Sequence, residues 1–544
     1  MNNRLVPVFG ILVSLVTITL AADTLWTRRY DGPANGDEEA CAVFTDAEGN
    51  IFVVGSSPTL TTGYDFVVIK YSPAGESLRL DRIGGTGNTN DLVRAAKMDA
   101  SGAIYLTGRT GSAGNYNILT VKLNADGSEA WRAIYQGSAG KNDEPAALVI
   151  DGSGNVYVTG YETDATDMTN FVTIKYNADG TQAWAANFDG GVGDDKAVGV
   201  ALALDGSIYV TGSRTQEGGT FQDYATVKYD AGGGQAWVDI YDRDTVNDIP
   251  AAIAVDSAGN VFVTGRSALG PGMGGPYSYV TLKYNSSGTR LWTKIYSGTN
   301  RGAIPTAMAL TPNGLYITGN VWRTTNNDIG TVAYNPANGN ELWVALYNGT
   351  ANNFDEASGI LVDANGKIHI VGYSQDTLGR ADYCRLRYSS NGTPELVCLY
   401  NSDFNNADEA KAIAVDNEFK VVVTGRSYGG LPLMTYDLVT VKWDSSAAPG
   451  ISEADFTGRR FASIKVQPNP VRNRAMLTLP PNAEGEAAIA LFNVAGALCH
   501  QEKILLPATG NCYSLNLAGL NPGIYILEVK QGDISRQVKV QVVK

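Results

Sequence analysis

Short runs of β-branched and aromatic residues, each bounded by turn-forming residues, dominate the hydrophobic pattern of this chain. Within residues 151–190, three such runs occupy 156–160, 171–176 and 182–188, and clusters of Asn, Asp and Gly separate them. Val, Thr, Tyr and Phe favour strands, whereas these clusters supply the backbone conformations that tight hairpins need. The pattern predicts three strands joined by short turns.

The same pattern recurs along most of the chain. The glycine that closes the first run returns at steps of 52 to 54 residues, at Gly55, Gly108, Gly160, Gly212, Gly265, Gly319, Gly372 and Gly425. An alanine-rich run precedes it in most copies, as at Ala251 and Ala252, and adds a fourth predicted strand. A period of about 50 residues suits one four-stranded blade of a β-propeller, in which small side chains fit the crowded innermost strand.

The two ends of the repeat array complement each other. The eighth copy lacks its fourth strand, whereas residues 25–30 have the sequence of a fourth strand with no repeat before it. Exposed strand edges favour aggregation unless they are paired. We therefore predict that 25–30 pairs with 438–443 and closes an eight-bladed, all-β propeller, with an open β-solenoid as the alternative.

The repeat also resembles a known family. The segments 151–160 (DGSGNVYVTG), 171–177 (FVTIKYN) and 180–184 (GTQAW) resemble the bacterial β-propeller repeat known as SBBP, and the resemblance extends over about 25–444. It implies a propeller that is usually secreted and has no common chemistry. Residues 334–343 (YNPANGNELW) are more weakly similar to the repeat of quinoprotein dehydrogenases. Those enzymes use adjacent cysteines, which this sequence lacks.

The N-terminal segment has the features of a secretory signal peptide. Arg4 precedes an apolar run at 5–20, and residues 19–21 (TLA) form a small-residue cleavage pattern. The run is too short for a stable membrane span, so we predict a signal peptide at 1–21 and no span in the mature chain. The propeller is then assigned to 22–444 and a linker to 445–463.

The C-terminal segment, 464–544, has the alternating pattern of a small Ig-like antiparallel β-sandwich. Its segments 466–470 (VQPNP), 488–496 (AIALFNVAG) and 517–529 (LAGLNPGIYILEV) are similar to the type A sorting domain of the type IX secretion system. This resemblance implies that the type IX translocon recognises residues 464–544 and delivers the protein outside the cell or to the outer-membrane surface. An ordinary adhesive sandwich domain is the alternative.

Charge excludes one class of partner. The net charge is −14 and the isoelectric point is near 4.8, so nucleic acid is not an expected ligand. Acidic residues also recur at the start of the predicted first strand, at Glu38, Asp91, Asp143, Asp195, Asp248, Asp355 and Asp408. A rim of carboxylates can bind calcium or a cationic ligand. The alternative is that these acids accept backbone hydrogen bonds or face water, and the sequence leaves any metal unknown.

Acidic and basic residues recur together at the opposite rim. We expect structural pairs of Asp46 with Lys70, Asp151 with Lys175, Asp256 with Lys283, and Asp416 with Lys442. The sixth copy loses both partners at once, with Thr311 and Ala333 in their places. Partly exposed pairs of this kind stabilise a protein by about 0–1 kcal/mol each, so they are interpreted as a device that sets strand register.

Cysteine and histidine provide little evidence of chemistry. Cys384 with Cys398, and Cys499 with Cys512, flank predicted turns, and each pair is either a disulfide or two small buried side chains. The two histidines belong to no recognised catalytic motif.

The sequence therefore favours a non-enzymatic module that binds an extracellular polysaccharide or protein, without a predicted cofactor. The alternative is an extracellular enzyme, either a quinoprotein-like oxidoreductase or a polysaccharide hydrolase or lyase. A deep central pocket with converging Arg, Tyr and carboxylate groups would favour the enzyme.

Overall fold

The computed structural model describes residues 24–444, except 62, 86–88, 217, 220, 244–245, 269, 271–275, 299–301, 323–325 and 430–434. It also describes 465–467, 474–478, 485–493, 498–506, 512–517, 519–531 and 534–543. The predicted signal peptide at 1–21 and linker at 445–463 lie outside these residues. The chain divides into two compact units, Met1–Ser452 and Glu453–Lys544. Every regular element in the described part is a β-strand, and none of it forms a helix that could cross a membrane.

The described residues of the first unit form eight four-stranded sheets, in which all strand pairs are antiparallel. The first four sheets contain β2 Glu39–Thr45, β3 Ile51–Pro58, β4 Tyr64–Tyr71 and β5 Ser77–Ile83; β6 Leu92–Met98, β7 Ile104–Ser112, β8 Asn115–Leu123 and β9 Glu129–Tyr135; β10 Glu144–Ile150, β11 Val156–Thr163, β12 Thr169–Tyr176 and β13 Gln182–Phe188; and β14 Lys196–Leu202, β15 Ile208–Thr215, β16 Gln222–Tyr229 and β17 Gln235–Tyr241.

The next four sheets repeat this arrangement. They contain β18 Asp248–Val255, β19 Val261–Ala268, β20 Tyr277–Tyr284 and β21 Arg290–Tyr296; β22 Ala303–Thr311, β23 Gly314–Trp322, β24 Asn327–Tyr334 and β25 Glu341–Tyr347; β26 Asp355–Val362, β27 Ile368–Gln375, β28 Ala381–Tyr388 and β29 Pro394–Tyr400; and β30 Asp408–Val415, β31 Val421–Tyr428 and β32 Tyr436–Trp443 with β1 Thr24–Tyr30 as the fourth strand.

The N-terminal strand therefore completes the last sheet. β1 runs antiparallel to β32, with Thr27 opposite Val441 and Tyr30 opposite Leu438. This confirms the predicted pairing of 25–30 with 438–443. We call the first strand of each repeat, from β2 to β30, its inner strand. Each inner strand contacts the inner strand of the next sheet, and β30 contacts β2.

The cores lie between neighbouring sheets and are built largely from their second and third strands. One cluster combines Tyr105 and Ile118 of the second sheet with Val158 and Ile174 of the third, all of them buried. Strands covered on both faces lose the strict alternation of polar and apolar residues. This explains the near-continuous runs of Val, Tyr, Ile and Thr that dominate the repeats.

Tryptophans of five outer strands donate an indole hydrogen bond to a turn of the next sheet. Trp131 donates its indole N–H to the carbonyl of Ala178 at 3.0 Å, and its ring packs against Gly180, whose φ of 88° favours glycine. Trp26 of β1 makes the equivalent bond to Pro73 of the first sheet, also at 3.0 Å. The junction between the chain's first strand and its first full sheet therefore uses the same contact as four other seams.

The second unit contains two antiparallel sheets. One is ordered β33-β34-β37 and the other β36-β35-β38-β39, with β33 Lys465–Gln467, β34 Arg474–Thr478, β35 Gly485–Asn493, β36 Leu498–Leu506, β37 Cys512–Asn516, β38 Gly523–Gln531 and β39 Ile534–Val542. Alternate apolar residues of both sheets are buried, including Leu477, Leu491, Leu515 and Leu527. Each sheet therefore has an apolar face, as the period-two pattern predicts.

Candidate ligand face beside the inner strands

The seven acids at the starts of the inner strands have buried side chains. Each has no more than 1% of its surface exposed. One carboxylate oxygen of each accepts a backbone N–H from the preceding loop at 2.5 to 3.1 Å; the donors are Gly32, Gly85, Gly137, Gly190, Arg243, Gly349 and Ser402. These acids therefore hold the loops that enter the inner strands. Calcium binding by them stays a prediction.

In two repeats the same carboxylate also holds a second loop. The other oxygen of Asp143 accepts the N–H of Thr163 at 3.2 Å, and that of Asp195 accepts the N–H of Thr215 at 2.9 Å. Each of these acids thus joins the loop before the inner strand to the end of the second strand. The sixth repeat has buried Ala303 at this place and lacks the carboxylate.

Burial changes the proton affinity of these acids. It raises the pKa of Glu38 to about 8 and those of Asp143 and Asp248 to about 6. Repulsion from Asp31 and Asp437 adds to the effect at Glu38. The side chain of Glu38 is 1% exposed, and its Oε2 has no hydrogen-bond partner among the described residues.

Two groups of three carboxylates come close enough together to share a cation. They are Asp31, Glu38 and Asp437, and Asp223, Asp242 and Asp248, whose nearest oxygens lie within 4.8 Å of one another. Protein donors already approach both groups. Arg29 contacts Asp437 at 2.6 Å, and Arg214 contacts Asp223 at 3.0 Å. Much of the negative charge is therefore balanced by the chain itself.

The acid-base pairs of the opposite rim differ from one repeat to another. Lys442 contacts Asp416 at 2.8 Å, with both side chains buried, and Lys70 lies 3.7 Å from Asp46. Lys175 does not reach Asp151, because the ring of Tyr157 lies between them. The Nζ atom is 5.2 Å from the ring centroid, and the tyrosine hydroxyl donates to Asp151 at 3.3 Å.

The remaining pair is also separated. Lys283 donates to the carbonyl of Pro336 in the next sheet at 2.8 Å and lies 5.1 Å from the ring centroid of Phe262, and it forms no ion pair with Asp256. All four aspartates instead share one local role. One carboxylate oxygen accepts the N–H four residues later at 2.8 to 2.9 Å, which closes the turn between the first two strands.

The side chains next to the buried acids form a second set, and most of them are partly exposed. On the inner strand each lies directly after the position of the buried acid, which is Ala303 in the sixth repeat, and pairs in register with the residue after the repeat glycine. The pairs are Glu39 with Ser56, Leu92 with Arg109, Glu144 with Tyr161, Lys196 with Ser213, Ile249 with Arg266, Ile304 with Asn320, Glu356 with Tyr373, and Glu409 with Arg426. We call this set the Arg-Tyr face. Sequence reasoning missed it, although its positions can be read from the repeat.

Three arginines of this face stack on tyrosines of the third strands. The guanidinium carbon is 4.3 Å from the ring centroid in Arg109 with Tyr116, 4.9 Å in Arg266 with Tyr277, and 4.7 Å in Arg426 with Tyr436. Stacking fixes the plane of the guanidinium and leaves its edge available for hydrogen bonds. The three stacks therefore form similar platforms in the second, fifth and eighth sheets.

Carboxylates neutralise two of these platforms. Glu144 contacts Arg109 at 2.6 Å and Arg94 at 3.3 Å. Glu409 accepts two bonds of 2.9 Å from one terminal nitrogen of Arg426 and one of 3.1 Å from its Nε. Such multiple charge-assisted bonds are the strong form of this ion pair.

Two tyrosines of the face have raised pKa values. Burial and the adjacent carboxylates raise the pKa of Tyr161 and of Tyr373 above the usual value, so both hydroxyls stay protonated. His369 belongs to the opposite rim, where its Nε2 lies 3.0 Å from Asp363 and burial lowers its pKa.

The cysteines of the seventh repeat do not face each other. Cys384 lies opposite Leu399 and Cys398 lies opposite Arg385, so the two side chains project from opposite faces of the sheet. They accordingly belong to different core clusters. In the second unit the Cys499 side chain is exposed, whereas the side chain of Cys512 lies outside the described residues.

Two family models match parts of this chain. Residues 465–544 match the secretion system C-terminal sorting domain, and residues 132–161 match the SBBP β-propeller repeat. The chain therefore carries a type IX C-terminal sorting domain and at least one SBBP repeat. No curated protein matches it in sequence.

Solved structures with related architecture are remote. Sqt1 of Chaetomium thermophilum, bound to the N-terminus of ribosomal protein L10, is 11% identical, with 77% of this chain and 98% of that chain covered and a TM-score of 0.47. Polysaccharide lyase Uly1 is 10% identical, with 74% and 89% covered and a TM-score of 0.41. The β-propeller domain of the Trilobed protease from Pyrococcus furiosus is 9% identical, with 68% and 96% covered and a TM-score of 0.35. Similarity at this level carries no inference about function.

Proposed function

We propose that this protein is a secreted or surface-attached, closed eight-bladed β-propeller that binds an extracellular polysaccharide through its Arg-Tyr face without catalysis. The type IX sorting domain implies secretion or attachment at the cell surface. In the proposal, the translocon recognises the Ig-like C-terminal unit and the propeller is the exported module.

Three observations support the closed ring. β1 supplies the fourth strand of the eighth sheet, each inner strand contacts the next, and β30 contacts β2. The bond from Trp26 to Pro73 also repeats at this junction the contact made at other seams. A ring without a free edge at this junction gives a rigid support for a binding face.

The three Arg-Tyr stacks are the observation that carries the binding proposal. Tyrosine rings and guanidinium planes are flat, rigid groups with polar edges, so a sugar ring can pack on them and hydrogen-bond to them at small entropic cost. The protonated hydroxyl of Tyr161 adds a donor for sugar hydroxyls. Repetition in three sheets suits a ligand that is itself a repeating polymer.

The test is a binding screen of the full mature chain against soluble polysaccharides by affinity electrophoresis, followed by titration calorimetry. We expect Tyr116→Ala and Tyr436→Ala each to weaken binding by about tenfold, the loss typical of an important contact residue. Leu342→Ala, which changes an exposed residue of outer strand β25, is the matched control and should leave affinity unchanged. Equal affinity in all three variants, or no binding to any polysaccharide, would contradict the proposal.

The export route needs a separate test. Deletion of residues 465–544 should retain the protein inside the cell envelope, whereas the full chain should reach the medium or the cell surface. Fractionation followed by immunoblotting measures the distribution. Equal export of the two proteins would contradict recognition through the sorting domain.

An extracellular enzyme is the second candidate, because arginine, tyrosine and carboxylate groups meet on the same face around Glu144 and Tyr161. A hydrolase would release reducing ends from a bound polysaccharide, and a lyase would produce unsaturated ends that absorb in the ultraviolet. A quinoprotein-like oxidoreductase would reduce a dye acceptor when supplied with quinone and calcium. Turnover that is lost in Tyr161→Phe would replace the binding proposal with the enzymatic one.

A further inference from the structure

We infer that Arg266 is the subsite for a negatively charged group of the ligand, so that the polysaccharide bound by this face carries carboxylate or sulfate groups. This inference rests on the proposed function and specifies its ligand. It comes from a difference between three platforms that otherwise have the same construction.

The difference lies in the residue opposite each arginine. In the eighth sheet, Arg426 lies opposite Glu409 in register and is neutralised by it. In the fifth sheet the same register position opposite Arg266 holds Ile249. The guanidinium of Arg266 is stacked like that of Arg426, yet it has no carboxylate beside it on the inner strand.

The adjoining sheets do not supply the missing charge. In the second sheet, where the residue opposite Arg109 is Leu92, Glu144 of the following sheet binds the guanidinium instead. The position equivalent to Glu144 in the sheet after Arg266 is Ile304. Carboxylates reach Arg426 and Arg109 from the opposite inner-strand position and from the same position of the following sheet. Around Arg266 these two positions hold the apolar residues Ile249 and Ile304.

The nearest acid along the inner strand is already engaged. Asp248 is fully buried and accepts the backbone N–H of Arg243 at 2.8 Å, and Ser267 approaches its carboxylate. Among the described residues, Arg266 has no ion pair, and its buried Nε has no hydrogen-bond partner. On the preceding sheet the equivalent inner-strand position holds Lys196, which is also a cation.

The terminal nitrogens of a stacked guanidinium that has no carboxylate beside it are available to a ligand, and an acceptor that binds them replaces the missing ion pair. The guanidinium fork matches two oxygens of a carboxylate or sulfate and binds them through parallel charge-assisted hydrogen bonds. Stacking on Tyr277 holds the fork in one plane. A uronic-acid residue or a sulfated sugar offers this pair of oxygens beside a ring that can pack on the tyrosine.

The experiment compares three probes on the full mature chain: dextran as the neutral polymer, dextran sulfate for sulfate, and polygalacturonate for carboxylate. We expect one or both charged polymers to bind at least tenfold more tightly than dextran. Arg266→Gln should remove that advantage, so that the charged polymers bind no more tightly than dextran. The charged polymer that binds the wild-type chain more tightly identifies the preferred anion, sulfate or carboxylate.

Three further variants make the test specific. Arg290→Gln, the matched control, removes an arginine of outer strand β21 that lies outside this face, stacks on Tyr284 and already contacts Asp239 at 2.6 Å, and it should change the affinity for the charged polymers by less than twofold. Ile249→Glu keeps Arg266 but places a carboxylate opposite it, as in the eighth sheet, and should weaken anion binding as Arg266→Gln does. Arg266→Lys keeps the charge without the fork and should retain part of the binding. Near-ultraviolet circular dichroism and the melting temperature verify the folding of each variant.

The outcomes separate this inference from the proposed function. Binding of dextran as tight as that of the charged polymers, or equal losses in Arg266→Gln and Arg290→Gln, would overturn the Arg266 subsite and leave polysaccharide binding in place. Failure of all polymers in the wider screen would overturn polysaccharide binding itself.

Discussion

The buried Glu38 makes stability depend on pH in a direction opposite to that of a carboxylate in a salt bridge. Its pKa is about 8 in the folded chain against an ordinary 4.5, because burial and the neighbouring Asp31 and Asp437 disfavour the charged form. Between these two pH values the unfolded chain has released the proton and the folded chain still holds it. The stabilising contribution is therefore complete below pH 4.5 and is lost progressively as the pH rises to about 8.

The size of the effect follows from the width of this window. Each pH unit within it lowers the free energy of unfolding by about 1.4 kcal/mol, so the total is a few kcal/mol and at most roughly 5 kcal/mol. The Glu38 side chain is only 1% exposed, so solvent screening reduces this free-energy change little. A cost of that size is a large fraction of the net stability of a typical protein.

Glu38→Gln tests this reasoning. The amide oxygen can still accept the N–H of Gly32, but the side chain cannot ionise. We expect the variant to resemble the wild type at pH 4.5 and to be more stable than it by a few kcal/mol at pH 8, measured by urea denaturation across that range. Asp126→Asn is the matched control, because its exposed carboxyl has a lowered pKa and is ionised throughout the window. Equal pH slopes for wild type and Glu38→Gln would refute the argument.

Three further predictions concern stability and are measured by chemical denaturation. Lys442→Met should cost about 3–5 kcal/mol because it leaves a buried carboxylate without its cation, whereas Lys70→Met, at a looser and more exposed pair, should cost less than about 1 kcal/mol. Gly180→Ala should cost roughly 1–3 kcal/mol, since its φ is 88° and a Cβ would lie 2.7 Å from a tryptophan ring, whereas Gly152→Ala, with nothing within 4 Å, should be nearly neutral. Trp26→Ala should cost about 3–5 kcal/mol if the N-terminal strand holds the last sheet to the first. Comparable losses within either matched pair, or a small loss for Trp26→Ala, would contradict the corresponding contact.

The strand pattern and the pairing of the chain's ends could be predicted because they depend on local rules. Period-two runs, turn residues and a count of repeats are sufficient to place β1 beside β32. The sequence alone leaves open whether the seven acids bind a cation, accept backbone hydrogen bonds or face water. A residue at the start of a strand can point outward or fold beneath the preceding loop, and only the tertiary path of that loop decides between them.

The hairpin of β28 and β29 shows that counting residues along the chain does not always predict which side chains face each other across two strands. Cys384 and Cys398 are symmetric about Asn391, so simple pairing across the hairpin brings them face to face. The ladder shifts by one residue between Arg387 and Tyr388, and beyond that irregularity Cys384 faces Leu399. A shift of one residue moves a side chain to the other face of a sheet. The bulge is a tertiary feature that composition does not reveal.

The sixth repeat explains why an acid and its lysine are lost together. With Thr311 in place of the turn aspartate, β22 and β23 join through a tighter hairpin in which the threonine hydroxyl accepts the N–H of Gly314 at 3.1 Å. The rim then has no carboxylate for a lysine, and the corresponding position holds the buried side chain of Ala333. A buried lysine at this place would need another acceptor, such as the Pro336 carbonyl that Lys283 binds in the fifth repeat, and the alanine removes that need.

Structural and variable positions lie next to each other in every repeat, and this arrangement directs attention to the Arg-Tyr face. The buried acid and the repeat glycine have steric or hydrogen-bonding roles that tolerate little change: a Cβ on Gly160 would lie 2.0 Å from a backbone oxygen. The residues immediately after them lie on the half-buried side and range from Glu to Lys, Ile, Arg and Tyr. Because the fold does not require any particular side chain at these positions, their differences between sheets can determine which ligand binds. Arg266, which lies opposite Ile249, is the position at which this variation leaves a positive charge that the ligand neutralises.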